Sequence, residues 1–186
     1  IRRKQERLLA KYVLSKTRLV MVRDPISVEV WKTWSVHGPQ WTLVPDLAFA
    51  RPAEKDRQKA LALLQDYGVE EDRDCPRLGV TLVNWSAQSR AFDRQQIYED
   101  AVEAAIRGFV KLHDGRAVLF AQVQGPTAAE DDRIPARRVL SRLEDVADRV
   151  VVIDRRVSAS VLKAAYGQMD IFLGTRLHSN IFALTE

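Results

Sequence analysis

RVVVIDRRVSASVLKAAYGQMDIFLG, residues 149–174, is the stretch on which the fold turns. Two apolar runs, RVVVID (149–154) and MDIFLG (169–174), flank a segment with helical spacing at 158–166. A strand, a short helix and a second strand form a crossover, which is right-handed and leaves its two strands parallel in one sheet. Two further runs of this kind lie upstream, LGVTLVNW (78–85) and AVLFAQV (117–123), with helical patterns near 93–113 and 133–147 between the strands. Spacing places Ile97, Ala101, Ala105, Phe109 and Leu112 inward on the first of these helices, and Ala136, Leu140, Leu143 and Ala147 on the second. Nearly continuous apolar strands alternating with helices predict a parallel sheet covered on both faces. Residues 77–186 are therefore expected to form the first four βα units of a truncated Rossmann-like domain.

The preceding residues are less regular. Leu8, Leu9, Tyr12 and Val13 share one face of a helix over 2–16, and RLVMV (18–22) reads as a buried strand. DPISVEVWKTWS (24–35) predicts a helix capped by Asp24 with Pro25 in its first turn. In WTLVPDLAF (41–49), Pro45 confines a strand to a sheet edge or to its own end. An amphipathic helix over 55–67 closes at Gly68, and the charged VEEDRDCPR (69–77) is the expected domain boundary. The expected organisation is residues 1–52 as the end of a first domain, 53–76 as a connecting helix and linker, and 77–186 as the start of a second.

Composition narrows the function classes. With 46% hydrophobic and 29% charged residues among 186, the chain has the balance of a soluble globular protein with a sizeable core. No apolar run approaches the length of a membrane span. The net charge is +4, but basic residues alternate with Asp and Glu along helical faces, which predicts a solvated surface and no nucleic-acid partner. The single cysteine, Cys75, excludes an internal disulfide and fits a reducing compartment. Glycine-rich nucleotide fingerprints and the G-x-S-x-G elbow are missing, and His37, His113 and His178 lack ligand spacing, so no metal is expected. Trp31, Trp34, Trp41 and Trp85 read as packing residues before sugar platforms.

Ligands of open parallel sheets bind beyond the carboxyl ends of the strands. Four segments meet that description, after Val83, Val123, Ile153 and Leu173. The last holds Gly174, Thr175, Arg176, Leu177 and His178, a turn that delivers a permanent cation and a titratable imidazole and would suit an anionic substrate needing a proton. The same residues fit a structural reading equally well, with Arg176 paired to an acid and His178 bonded to a carbonyl. QGPTAAEDDR (124–133) carries Asp131 and Asp132, which fit a metal or a sugar hydroxyl but more simply a solvated loop that starts a helix. Arg155 and Arg156 fit phosphate or water.

GTRLHSNIFAL (174–184), preceded by VLKAAYGQMDIFL (161–173), closely resembles a signature of the polysaccharide pyruvyl transferase family. VMVRDPIS (20–27), VPDLAF (44–49) and RLGVTLVNW (77–85) resemble further family segments in the same order, so the likeness spans nearly the whole chain. It implies two Rossmann-like domains of GT-B-like architecture, both incomplete in what would be a middle fragment, expected to be inactive alone. The implied reaction moves the pyruvyl group of phosphoenolpyruvate onto sugar hydroxyls of a cell-surface polysaccharide or its lipid-linked precursor, forming a ketal, without a cofactor. A bacterial cytoplasmic enzyme is implied, with peripheral access to the inner membrane face through its acceptor.

The family's Arg-Leu-His element falls on Arg176, Leu177 and His178. Arg176, with Leu177, Gly174 and Thr175, would bind the donor, and His178 would act as the acid. Arg23, Asp24, Ser27, Asp46, Asn84, Arg90 and Gln124 are further cleft candidates. One departure stands out: where many members carry an arginine after the first strand of the second domain, this chain has Val83, Asn84 and Trp85, with Arg90 as a substitute. The alternatives are a GT-B-like glycosyltransferase using a nucleotide sugar and a non-catalytic carbohydrate-binding paralogue.

Overall fold

A computed structural model of the chain describes residues 4–34, 39–71 and 74–186; His37 lies outside the described residues. The chain divides into two compact units, one ending at Phe49 and the other running from Ala50 to Glu186.

In the first unit, α1 (Lys4–Ser15) leads into β1 (Leu19–Val22), α2 (Pro25–Thr33) and β2 (Gln40–Leu43). β1 and β2 are parallel, with Leu19 opposite Gln40 and Val22 opposite Leu43. The start of α2 follows from its sequence: Oδ1 of Asp24 accepts from the Ser27 amide at 2.8 Å, and Pro25 occupies the first turn, where no amide donor is needed. β2 stops before Pro45. The apolar residues of α1 do not form a core, since Leu8, Leu9, Tyr12 and Val13 are all exposed.

The second unit contains α3 (Glu54–Asp66), β3 (Arg77–Val80), α4 (Trp85–Gln88), α5 (Gln95–His113), β4 (Arg116–Phe120), α6 (Arg133–Leu140), β5 (Val150–Ile153), α7 (Ala159–Tyr166), β6 (Ile171–Leu173) and α8 (Leu177–Leu184). Its four strands are all parallel and lie in the order β5-β4-β3-β6. Alternation along the strands feeds two cores. Leu78, Val80, Ala117, Leu119 and Val150 pack against Val102 and Ile106 of α5 and Val139 of α6. Val118, Phe120 and Ile153 pack on the other face against Leu63 and Leu64 of α3 and Val161 and Leu162 of α7. Helices thus cover both faces of the parallel sheet, as the alternation predicts.

Several details differ from the sequence-based expectation, including β1, where Leu19 and Met21 are exposed and only Val22 is buried. The segment assigned to a connector at 53–76 includes α3, whose Ala60, Leu63 and Leu64 are buried against the sheet, so the helix is an integral layer of the second unit. α5 turns a different face inward. Its buried stripe is Glu99, Val102, Ile106, Phe109 and Val110, while Ile97 and Leu112 are exposed. A charged residue on the buried face hides this stripe from hydrophobicity alone: Glu99 is accommodated because Arg138 and Arg142 meet its carboxylate. Finally, the helix expected to reach 147 stops at Leu140. Ser141 Oγ bonds back to the Arg138 carbonyl, and after an irregular turn a 3-10 stretch over Glu144–Arg149 buries Val146 and exposes Ala147.

Gly79 in β3 is imposed by close approach. A Cβ there would stand 2.5 Å from a ring carbon of Phe172 and 2.7 Å from Cγ of Met169. Gly79→Ala is expected to lower stability by about 1–3 kcal/mol through overpacking, measured by urea unfolding monitored by circular dichroism.

Candidate functional site

The strand order selects among the four loop segments. The chain adds β4 and β5 on one side of β3, then crosses back through α7 to place β6 on the other side. The direction of winding therefore reverses between β3 and β6, and a crevice opens at the carboxyl ends of these two strands. Thr81–Trp85 follows β3 there, and Gly174–His178 follows β6. The segments after Val123 and Ile153 belong to the neighbouring strands β4 and β5.

Hydroxyl groups lock the two crevice segments together. Tyr98 OH accepts from the Val83 amide at 3.2 Å and donates to Thr175 Oγ1 at 3.0 Å. Thr175 Oγ1 donates to the Thr81 carbonyl at 2.7 Å, while the Thr175 amide donates to Thr81 Oγ1 at 3.2 Å. Ser179 Oγ donates to the Arg176 carbonyl at 2.7 Å, so Thr81 is the donor in the 2.9 Å contact between the Thr81 and Ser179 hydroxyls. Thr81 and Ser179 are fully buried, and the hydroxyls of Thr81, Tyr98, Thr175 and Ser179 each have partners within this network. Burial also pushes the Tyr98 phenol up from its ordinary range. Thr81, Tyr98 and Ser179 are the supporting residues that the sequence does not reveal, because their partners lie across the β3–β6 pairing.

This framework fixes the turn that carries Arg176 and His178. Leu177 and His178 open α8 with exposed side chains. Gly174 is covered by Asn180, whose Oδ1 lies 1.8 Å from where a Cβ would stand. Arg176 is held along one edge by an acid: its Nε donates to Asp132 Oδ2 at 2.8 Å and its Nη2 to Asp132 Oδ1 at 2.5 Å. Asp132, at the start of α6, is 1% exposed and also accepts from the Val123 amide at 2.9 Å. Burial pushes its carboxyl up, against the pull of Arg176 and of the Val123 amide. Asp131 points elsewhere, to Arg133, whose hydrogen bond holds it below the usual carboxylate range. The acidic pair of residues 131 and 132 therefore divides between two arginines, and among the described residues no group of three His, Cys, Asp or Glu side chains could hold a metal ion.

The remaining candidates are distributed. Asn84 is buried, and its Oδ1 accepts from Nη2 of Arg138, an arginine that also clamps Glu99. Arg90 is exposed between α4 and α5. Gln124 bonds to the Ala121 carbonyl and receives Arg156 on its own carbonyl, which keeps both near the carboxyl end of β4. In the first unit, Arg23 pairs with Asp46 at 2.5 Å beyond the ends of β1 and β2. Asp24 and Ser27 are committed to each other as the cap of α2; the Ser27 hydroxyl, then its amide, lowers the Asp24 carboxyl. Their local role is helix initiation.

Residues 1–185 match the sequence model of the polysaccharide pyruvyl transferase family. The chain belongs to that family. Arg176, Leu177 and His178 follow β6, which pairs with β3. No curated protein matches the chain. Among solved structures, sucrose-phosphate synthase from Thermosynechococcus elongatus aligns with 92% of this chain at 17% identity and a TM-score of 0.42. The chain spans 38% of the length of that enzyme.

Proposed function

We propose that this protein transfers the pyruvyl group of phosphoenolpyruvate to two hydroxyls of a sugar, on a cell-surface polysaccharide or its lipid-linked precursor, and forms a cyclic ketal. The observation that carries this reading is the placement of Arg176 and His178 on one hydroxyl-braced turn at the β3–β6 crevice of a pyruvyl transferase family member. In this reading the first unit is the end of one Rossmann-like domain and the second unit the beginning of another, in a GT-B-like arrangement. The reaction needs no cofactor, and it takes place in the bacterial cytoplasm, with the acceptor drawing the enzyme to the inner membrane face.

The chemistry runs through groups the chain supplies. Arg176 binds the phosphate or carboxylate of the donor by charge-assisted hydrogen bonds. His178, as imidazolium, gives its proton to the methylene carbon of the enol. The adjacent carbon becomes electron-poor, and a sugar hydroxyl attacks it and loses its proton. Inorganic phosphate departs, and a second hydroxyl attacks the same carbon and loses its proton, which closes the ketal. Thr175 acts as a brace for this turn, since its hydroxyl is spent on Thr81 and Tyr98.

The test is incubation of the intact protein with phosphoenolpyruvate and a panel of sugar and lipid-linked acceptors, followed by mass spectrometry. A pyruvate ketal on the acceptor, with stoichiometric release of inorganic phosphate, is the expected result. Transfer of a sugar from a nucleotide sugar, with phosphoenolpyruvate left intact, would overturn the reading in favour of a glycosyltransferase.

A further inference from the structure

We infer that Asp132 is a positioning residue for the donor site: it holds the Arg176 guanidinium by one edge so that the opposite edge is presented to the anion. This inference rests on the donor role proposed for Arg176. Guanidinium offers two bidentate edges to a carboxylate or phosphate, one formed by Nε and one terminal nitrogen and the other by the two terminal nitrogens. Asp132 takes the first edge completely, through Nε at 2.8 Å and Nη2 at 2.5 Å. The edge containing Nη1 is thereby directed away from Asp132. Arg176 keeps 18% of its side chain exposed while Asp132 keeps 1%, so the carboxylate is the buried anchor and the arginine the accessible member.

The anchor is itself fixed from both directions. Its Oδ2 accepts from the Val123 amide at 2.9 Å, and its own amide donates to the Val123 carbonyl at 2.8 Å. Asp132 is therefore stitched to the segment leaving β4, while Arg176 leaves β6, 44 residues further along the chain. The pair ties the two strand ends that flank β3 at the crevice. It also accounts for the burial of the second aspartate of QGPTAAEDDR.

Electrostatics make the role separable from simple attraction. A buried carboxylate cancels much of the charge of Arg176, so removing the carboxylate leaves a stronger but unaimed cation. Asp132→Asn should therefore retain or improve binding of phosphoenolpyruvate while chemistry slows, because a misplaced donor loses the advantage of orientation. Expected values are a KM for phosphoenolpyruvate within about threefold of wild type or below it, and a kcat reduced about 10- to 100-fold. Arg176→Ala is the opposite control, with its main effect on KM.

The experiment measures steady-state kinetics of the intact protein, with kcat normalised to the stoichiometry of phosphoenolpyruvate binding by calorimetry, so unfolded protein is discounted. Asp132→Glu is run in parallel: it keeps the charge but shifts the guanidinium, and it should also lower normalised kcat with binding retained. A normal normalised kcat in the soluble variant, or a rise in KM with kcat unchanged, overturns the inference while leaving pyruvyl transfer intact. Absence of phosphoenolpyruvate turnover by wild type overturns the donor reading and this inference together.

Discussion

His178→Gln is expected to lower kcat by about two to four orders of magnitude, the contribution of a positioned general acid. Glutamine approximates the size and hydrogen-bonding capacity of the imidazole but carries no transferable proton. Binding of phosphoenolpyruvate should change far less, because attraction to the anion is assigned to Arg176. Stopped assays of phosphate release, alongside donor binding by calorimetry, measure both effects. His178 is exposed in the first turn of α8, and circular dichroism of the variant checks that its fold is retained. Near-normal turnover by His178→Gln would return the histidine to a structural role.

Arg176→Ala should raise the KM for phosphoenolpyruvate about 10- to 150-fold, corresponding to roughly 1.5–3 kcal/mol for hydrogen bonds to a charged group. It should also destabilise the protein by about 3–5 kcal/mol, because Asp132 remains buried without its partner. The pH dependence of that second effect has a definite sign. Burial already pushes the Asp132 carboxyl above its ordinary range, and losing Arg176 removes a group that pulls it down. A carboxyl whose folded-state pKa exceeds its unfolded value favours folding when protonated and costs stability as pH rises through that interval. The deficit of Arg176→Ala relative to wild type should therefore shrink on acidification toward the ordinary carboxylate range. Urea unfolding at a series of pH values measures this. A deficit that grows on acidification would show that Asp132 is not the cause. Adding Asp132→Asn to Arg176→Ala should recover part of the stability at neutral pH without restoring donor affinity. Arg176→Lys should restore neither fully, because an ammonium cannot engage Asp132 by two nitrogens and still present a planar edge to the donor.

The residues that were legible as a site and those that were not differ in how far their partners lie along the chain. Arg176 and His178 could be singled out because a turn after an apolar strand has a defined address in a parallel sheet, whatever its neighbours. Asp132 could be seen as an acid near a helix start, but its engagement with Arg176 spans 44 residues and follows from the strand order. Thr81 and Ser179, separated by 98 residues, look unremarkable in sequence and become a buried hydroxyl pair only when β6 aligns beside β3. Asp24 and Ser27 illustrate the converse. Three residues apart, they form a cap that local rules anticipate, and the cap uses both side chains.

Local periodicity was sufficient to specify the second unit's strands, the existence of its main helices and the parallel direction of the sheet, because a crossover leaves little choice of hand or orientation. It was insufficient for the inward face of α5, where two stripes share Phe109 and the buried one contains Glu99. That choice depends on Arg138 and Arg142 arriving from beyond β4 to satisfy the carboxylate. The crevice, likewise, was reduced to four strand ends by sequence and to the β3–β6 pair by topology. The physical reason is the same in both cases: hydrophobic spacing and capping act within a few turns of chain, whereas the matching of buried polar groups is settled only where distant segments meet.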